Sequence, residues 1–454
     1  MSAVQNLRRS VLLVPFLTSF LVAQNNEWIV DAANGPGANF VTITAAITAA
    51  NAGDRIFVRP GVYNEDVLVN KGVTIVGWNA TSYPMVVPSQ PIVNKVVGTI
   101  TVTGIPNAET VVVSGLVFER ASTTGGLTGG VNSCTGPVAF DRVYFSNGGL
   151  AILNSSDVHI QNVRVRHNPS AQPPTSGVLV SASWVQADDL DSTATNLGTD
   201  PNFFAQAPHA IEAVNASIVC LSRPRLIGAT GGGPWITAAT TPAGGHAIKA
   251  TTGSIVSIVD DGLSGSYVIG GRGGSRGVGS SNLIPSGEGA LAFHADSNST
   301  IVNKGGLVAV AGLSGQNFAG GPIPGNSFSP GGGIIFMPPD NPALVKITGT
   351  TTPGGGILSV LRSASPGLPV AMGIGTELDL TTYAPSVQFL SASTRFILFA
   401  ITGFAGQDRF FPIAIPMPPT NFAGVRGRHF VFQGADDLYT NLFLTNPALL
   451  VLPY

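Results

Sequence analysis

The sequence predicts an all-β protein, most of which is a parallel β-helix, and two observations indicate this fold. Only 10% of the 454 residues are charged, while 57 glycines and 33 prolines provide frequent turns, a composition that argues against a helical enzyme. Short runs rich in valine, isoleucine, threonine and serine also recur along the chain, with apolar and polar residues alternating. Each run is too short to bury its apolar face alone, so we expect the runs to stack as the coils of a solenoid.

The first 23 residues have the pattern of a secretory signal peptide. Arg8 and Arg9 precede an apolar run over residues 11–22, and Ala23 supplies a small residue at the expected cleavage point. The run is shorter than the roughly 20 apolar residues of a membrane span, and no later segment is long and apolar enough. We therefore expect a mature chain that begins near Gln24, is secreted or held at the cell surface, and has no transmembrane anchor.

The segment after this signal predicts the N-terminal cap of the solenoid. A helical stretch over residues 44–50 is followed by GDRIFV at 53–58, PGVYNE at 60–65 and KGVTIVG at 71–77. These residues resemble the opening coil of right-handed β-helix proteins of the pectate-lyase-like class, which includes the pectin methylesterases. The resemblance implies right-handed coils and a short capping helix that plugs the open end, where an uncapped solenoid would expose apolar residues and strand edges.

The coils themselves follow from aligning the β-rich runs. The first three start 27 and 20 residues apart, and two later units start 37 residues apart; the runs are residues 111–118, 138–145, 158–165, 185–192, 210–219 and 247–256. No leucine-rich consensus recurs, which favours a parallel β-helix over a leucine-rich-repeat horseshoe. The alternation places Phe140 and Ile160 at equivalent inward positions. Cys134 and Cys220 would then lie several coils apart, so two buried thiols are favoured over a disulfide.

Two kinds of segment depart from the repeat. Residues 263–289 and 312–333 are rich in glycine and are predicted to be long loops that leave the coils. From residue 342 the runs become longer alternating strands, which resemble the C-terminal β-sandwich modules of secreted bacterial repeat proteins. The predicted organisation is thus a signal peptide at 1–23, a β-helix at 24–341 and a β-sandwich at 342–454.

The alignment also predicts where charged side chains gather. Equivalent positions of successive coils stack about 4.8 Å apart, so the outward residues of three coils form one strip, the densest charge cluster in the chain. Its predicted binding residues are Asp141, Arg142, His159, Arg164 and Asp191, and its predicted metal ligands are Asp188 and Asp189. Two interpretations stay open: a set of ion pairs, which the sequence favours, and a site.

The resemblance gives the site interpretation its chemistry. In pectate-lyase-like enzymes, carboxylates hold Ca²⁺ and a basic residue abstracts a proton beside a uronate, which would make Ca²⁺ the cofactor and Arg164 the group that holds a substrate carboxylate. A second set of aligned residues, His209 with His246, Glu212 with Lys249 and Arg223 with Asp260, is expected to be structural.

The enzyme motifs of these families are missing from the predicted coils, so no catalytic residue is assigned. Gln407-Asp408 lies in the C-terminal region, and Arg223-Pro224-Arg225 lacks the spacing of the pectate-lyase motif. A net charge of −2 provides no field that would attract nucleic acid or an acidic membrane. The sequence favours a structural or glycan-contacting protein, with polysaccharide as partner and no oligomeric state indicated. The alternative is a lyase, hydrolase or epimerase acting on an acidic polysaccharide.

Overall fold

A computed structural model of the chain describes most of the predicted solenoid and, beyond it, separate strands. The described ranges are residues 26–78, 82–83, 94–121, 126–167, 176–194, 207–231, 243–260, 265–274, 288–305 and 307–313, followed by individual strands between 328 and 451. The predicted signal peptide lies outside them. No helix in these ranges is long and apolar enough to cross a membrane.

Three parallel sheets, counted within the described residues, form the solenoid, because each coil adds one strand to each sheet in turn. Sheet 1 has 11 strands: Glu27–Val30, Arg55–Val58, Thr74–Gly77, Val111–Ser114, Val138–Asp141, Val158–Gln161, Trp184–Asp188, Ile218–Ser222, Ile255–Asp260, Thr300–Gly305 and Ile334–Phe336. Sheet 2 has 9: Gly61–Asn64, Asn94–Val97, Val117–Glu119, Tyr144–Ser146, Arg164–His167, Asp191–Ala194, Arg225–Ile227, Tyr267–Ile269 and Val308–Val310. Sheet 3 also has 9: Val67–Val69, Ile100–Thr103, Leu127–Asn132, Gly149–Leu153, Val178–Ser181, Ile211–Val214, Ile248–Ala250, Phe293–Asp296 and Phe328–Gly331. The predicted right-handed parallel β-helix is confirmed.

The register between coils is the one that the sequence alignment predicts. Phe140 pairs with Ile160 and Tyr144 with Arg164 across neighbouring strands. Phe140 is fully buried and Ile160 is 2% exposed, both within one continuous apolar core that runs the length of the coils. Because a shift of one residue would turn every side chain to the other face, this burial confirms which residues point outward.

One residue with positive φ makes the corner between sheets 1 and 2 in successive coils. Gly115, Arg142, Asn162, Asp189 and Arg223 occupy this position with φ of 70°, 52°, 50°, 53° and 51°. Side chains other than glycine are uncommon in this left-handed region. The repeated backbone hydrogen bonds between corners, such as Arg142 N–H to the Gln161 carbonyl at 3.0 Å, hold them there. Arg142 and Asp189, both predicted site residues, therefore lie in one column of corners with Asn162 between them.

The motif residues of the first coil hold the capping helix. Helix α1 spans Ile43–Ala49 and buries Ile43, Ala46 and Ile47 against the core. Glu65 accepts hydrogen bonds from the backbone N–H groups of Ile43 and Thr44, both at 2.8 Å, at the N-terminus of the helix. Lys71 donates to the carbonyl oxygen of Ala50 at 2.9 Å at its other end. The motif that carries the family resemblance thus satisfies backbone groups at both ends of the helix.

The glycine-rich segments contain more of the solenoid than the sequence predicts. Tyr267–Ile269 belongs to sheet 2 and Phe328–Gly331 to sheet 3, so the prediction of two uninterrupted loops is wrong. Where the backbones of neighbouring coils meet, a Cβ on Gly271 would lie 1.8 Å from the carbonyl oxygen of Ala229. Glycine is required there because two backbones approach within hydrogen-bonding distance. The sequence pattern alone suggested that this glycine-rich stretch was a loop.

Antiparallel strands follow the solenoid, as the sequence predicts. One sheet joins Ser82–Tyr83, Leu344–Thr350, Gly356–Arg362 and Phe410–Pro416; another joins Pro369–Gly375, Phe399–Phe404, His429–Asp436, Phe443–Leu444 and Ala448–Val451; a pair is formed by Leu380–Tyr383 and Gln388–Ser391. Packing of these sheets as a β-sandwich, and the domain boundary at residue 342, stay predictions.

Candidate functional site

The outer face of sheet 1 is covered by other parts of the chain. Outward residues of its early strands, Phe57, Val76, Val112 and Ala139, are fully buried in a cluster with Val451 of the last strand. The outward residues of later strands are buried as well, namely His159, Gln186, Cys220 and Ser257. Outward side chains of an uncovered sheet would face solvent, so sheet 1 is an internal surface, and Val451 is one of the residues that cover it.

Asp141 and Arg142, two predicted binding residues, form a buried ion pair beneath this cover. Arg142 Nε lies 2.8 Å from Asp141 Oδ2, and both side chains are at most 1% exposed. Ser114 donates from Oγ to Asp141 Oδ2 at 3.0 Å, and Arg142 Nη2 donates to the carbonyl oxygen of Val451 at 3.3 Å. The pair therefore joins the solenoid to the C-terminal strand.

His159 and Asp188 share this covered face. His159 Nε2 lies 3.0 Å from Asp157 Oδ1, and His159 is 5% exposed. The carboxylate of Asp188 accepts hydrogen bonds from both Nε and Nη2 of Arg223, and the distance from Nε to Oδ1 is 3.1 Å. Arg223, which was expected to pair with Asp260 of the following coil, forms an ion pair with Asp188 of the preceding coil. Four of the seven predicted site residues thus lie where a polymer has no access.

The predicted metal ligands are each bound to a different arginine. Asp188 pairs with Arg223, and Asp189, at the corner, places Oδ1 2.8 Å from Arg225 Nη2. Ca²⁺ takes about six to eight oxygen ligands, whereas no group of three or more His, Cys, Asp or Glu side chains suited to a metal occurs among the described residues. Guanidinium groups engage both carboxylates, so the ion pairs that the sequence favoured are present.

Sheet 2 presents the remaining predicted residues on an accessible face. Its register places Tyr144, Arg164, Asp191, Arg225 and Tyr267 in one outward column across five successive strands. All of these except Asp191 are half-buried, with one side open to solvent. We call Arg164, Arg166, Asp191 and Arg225, with the tyrosines on either side, the sheet 2 cluster.

Asp191 lies at the centre of the sheet 2 cluster. Arg166 binds it through two contacts, Nη1 to Oδ1 at 2.7 Å and Nη2 to Oδ2 at 2.8 Å, while Arg164 Nε lies 3.2 Å from Oδ2. Burial alone would raise the pKa of Asp191, but the hydrogen bonds and charge of Arg166, with Arg164 and Arg225 nearby, lower it below the ordinary value. The carboxylate stays ionised and fixes the arginines around it.

Arg166, Arg225 and Tyr267 were not among the predicted site residues. Arg166 lies two positions beyond Arg164 and so shares its face. Arg225 lies in the next coil, opposite Asp191 in the strand register. An insertion of uneven length between the two coils hides this relation in the sequence. Tyr267 lies in the segment predicted to be a loop. Extending the alignment of sheet 2 by two coils beyond Asp191 would have found the last two.

A stack of three histidines lies away from this face. His209 and His246 stack with ring centroids 5.1 Å apart, as their alignment predicted, and His294 extends the stack at 4.7 Å. Nδ1 of His209 accepts the backbone N–H of His246 at 2.9 Å, and Nδ1 of His246 accepts that of Leu291 at 3.2 Å. Burial lowers the pKa of His246 to about 4, assisted by the charges of His294 and Lys249. Neutral imidazoles therefore connect three coils, a structural role.

Comparisons with known proteins return no sequence family and a few distant structures. No protein-family model matches the chain, and no curated protein sequence matches it. The enzymatically active domain of tailspike protein 2 from bacteriophage CBA120 aligns with 95% of this chain and 77% of its own, at 11% identity and a TM-score of 0.33. Full-length tailspike protein 2 from an Escherichia coli O157:H7 bacteriophage aligns with 95% of this chain and 64% of its own, at 10% identity and a TM-score of 0.30. Likeness at this level does not extend to function.

Proposed function

We propose that the protein is an exported β-helix protein that contacts a polysaccharide through the sheet 2 cluster. Export rests on the signal-peptide pattern of residues 1–23. The proposal assigns no catalytic residue and requires no metal. In the described part of the chain, the charged side chains on the outer face of sheet 2 are more exposed than those of sheet 1.

The observation that carries the proposal is the half-exposed column of tyrosines and arginines on sheet 2. Aromatic rings offer a flat apolar face with a polar edge, which suits the alternation of C–H and O–H groups on a sugar. Guanidinium groups donate several hydrogen bonds in one plane to hydroxyl or carboxylate oxygens. The column runs along the solenoid axis, so it offers an extended polymer repeated contacts.

A polysaccharide panel tests the proposal. Binding of polygalacturonate, alginate, dextran and dextran sulfate to the purified mature chain is measured by calorimetry, for wild type and for Tyr144→Ala/Tyr267→Ala. We expect the double variant to bind its polymer about tenfold more weakly or worse. Val117→Ala, one strand before Tyr144 in the same column, is the matched control and should bind as wild type does.

Two results would contradict the proposal. If the protein bound none of the four polymers, the proposal that it contacts a polysaccharide would be refuted. Release of unsaturated product from an acidic polymer in the presence of Ca²⁺, followed by ultraviolet absorbance, would favour the alternative of a polysaccharide lyase.

A further inference from the structure

We infer that Arg225 and Arg164 bind an oxyanion on an acidic polysaccharide, a carboxylate or sulfate group seated over Asp191. The inference rests on the proposed function and adds the chemical class of the ligand and Arg225 as its main contact. Three observations lead to it: an unmatched positive charge, unused donors on two arginines, and their placement between two tyrosines.

The first observation is that guanidinium groups outnumber carboxylates in the sheet 2 cluster. Arg164, Arg166 and Arg225 face Asp191 and, at the adjacent corner, Asp189. Three positive charges therefore meet two negative ones, in a chain of which only 10% is charged. The surplus lies on side chains that are 25–33% exposed, while the side chain of Asp191 is 7% exposed. An approaching anion would thus meet arginine before it meets aspartate.

The second observation is that the arginines are not equally engaged. Arg166 uses both Nη atoms on Asp191, and its Nη1 also lies 3.3 Å from the carbonyl oxygen of Val165. Arg164 contacts Asp191 through Nε, leaving its Nη atoms for another acceptor. Arg225 contacts Asp189 through Nη2, and its Nε is shielded from solvent without an acceptor among the described residues. Nε is closed to an incoming ligand, but the Arg225 side chain as a whole is 33% exposed, so an oxyanion would meet its Nη groups, where a charge-assisted hydrogen bond is strong.

The third observation is the order of residues along the column. Arg164 and Arg225 occupy the strands on either side of Asp191, about 10 Å apart, or two strand spacings. Tyr144 and Tyr267 come one strand further out, about 19 Å from each other. Arg166 is the two-contact partner of Asp191, and the two outer arginines, whose ion pairs each use one nitrogen, have donors on either side of an anion seated between them. A polymer lying along the axis would place its anionic group at the centre and sugar rings on the tyrosines.

The test compares charged and uncharged forms of the same backbone. Kd values are measured by calorimetry for polygalacturonate against its fully methyl-esterified form, and for dextran sulfate against dextran. Arg225→Gln and Arg164→Gln each remove one arginine charge, and Arg225→Lys keeps the charge without the planar group. The matched control is Lys95→Gln, which removes a charge from the same column about 14 Å, or three strand spacings, from Arg164.

We expect Arg225→Gln to weaken binding of a charged polymer about tenfold or more and to weaken binding of the uncharged polymer much less, because a neutral hydroxyl loses a hydrogen bond but no charge attraction. Arg225→Lys should fall between wild type and Arg225→Gln, and Lys95→Gln should bind as wild type does. Loss confined to polygalacturonate assigns a carboxylate, and loss confined to dextran sulfate assigns a sulfate. Melting temperatures equal to that of wild type show that the variants are folded.

Failure of this inference differs from failure of the proposed function. If wild type binds charged and uncharged forms equally and Arg225→Gln changes neither, the oxyanion site is refuted while polysaccharide contact stands. If wild type binds no polymer, both are refuted.

Discussion

The outer faces of sheets 1 and 2 carry similar charged residues in neighbouring positions of the same coils, but their surroundings differ. On sheet 1, Asp141 and Arg142 are at most 1% exposed and are bonded to the C-terminal strand. On sheet 2, Arg164 and Arg166 keep 25% and 29% of their side-chain surface around the buried carboxylate of Asp191. Charge density alone therefore does not identify a binding face in a solenoid.

What separates the two faces is the return of the chain. Residue 451 is 309 positions after Arg142, yet its carbonyl oxygen accepts a hydrogen bond from that arginine. Breaking an ion pair buried this way leaves an uncompensated charge, whereas an exposed pair is worth little and leaves its donors available. Substitutions on the two faces should therefore differ in how far they lower the free energy of unfolding.

The largest effect is expected from Arg142→Ala on sheet 1. Removing the guanidinium leaves Asp141 as a buried charge without its ion-pair partner, which should lower the free energy of unfolding by about 3–5 kcal/mol. The measurement is urea unfolding of the mature chain followed by circular dichroism. Asp141→Asn/Arg142→Met, which removes both charges, should recover part of the loss. A loss below about 1 kcal/mol for Arg142→Ala would mean that the face is open to solvent after all.

The contrast between the faces also shows what the sequence could predict. Alternation of apolar and polar residues was sufficient for the register, and thus for placing Arg164 beside Asp191, because each coil repeats the same short-range pattern. The capping helix followed from the motif that holds its ends.

Coverage of sheet 1 could not be predicted this way. It depends on contact between Arg142 and Val451, and the repeat contains no information about where the C-terminal strands return. The glycines near Gly271 led to the wrong prediction of a loop for a related reason. Glycine is required both in loops and where the backbones of two coils come into contact, so its presence does not distinguish the two. Local pattern thus determined the coils, and long-range contact determined which of their faces is accessible.

An intermediate effect is expected from acid, which acts on a third region, the histidine stack. The pKa of His246 is about 4 in the folded chain against an ordinary 6.5. Between these values the unfolded chain binds more protons, so the free energy of unfolding falls as the pH falls, by about 1.4 kcal/mol per pH unit for this group. The stability that goes with a neutral His246 is therefore fully present above pH 6.5 and is lost as the pH falls towards 4. Asp191, whose pKa is lowered, stays ionised through this window.

Urea unfolding at pH 7, 5.5 and 4.5 measures this dependence. His246→Asn, which can still accept a backbone N–H but does not titrate in this range, is the matched variant and should reduce the slope between pH 6.5 and 4. An unchanged slope would show that the imidazole is equally basic in the folded and unfolded chains.

The smallest effect on stability is expected from Arg164→Ala on sheet 2. When Arg164 is removed, Arg166 still binds Asp191 through two short contacts. Arg164 is also one-quarter exposed, so the free energy of unfolding should fall by at most about 1 kcal/mol. The same urea unfolding used for Arg142→Ala measures it, and Arg166→Ala, which removes the two-contact partner of Asp191, serves as the comparison with a larger expected loss. If Arg164→Ala destabilised the chain as strongly as Arg142→Ala, both faces would be structural, and the sheet 2 cluster would no longer stand apart as a binding surface. A small loss of stability, together with weaker binding of an acidic polymer, would instead separate the two faces by function, one holding the fold together and the other holding a ligand.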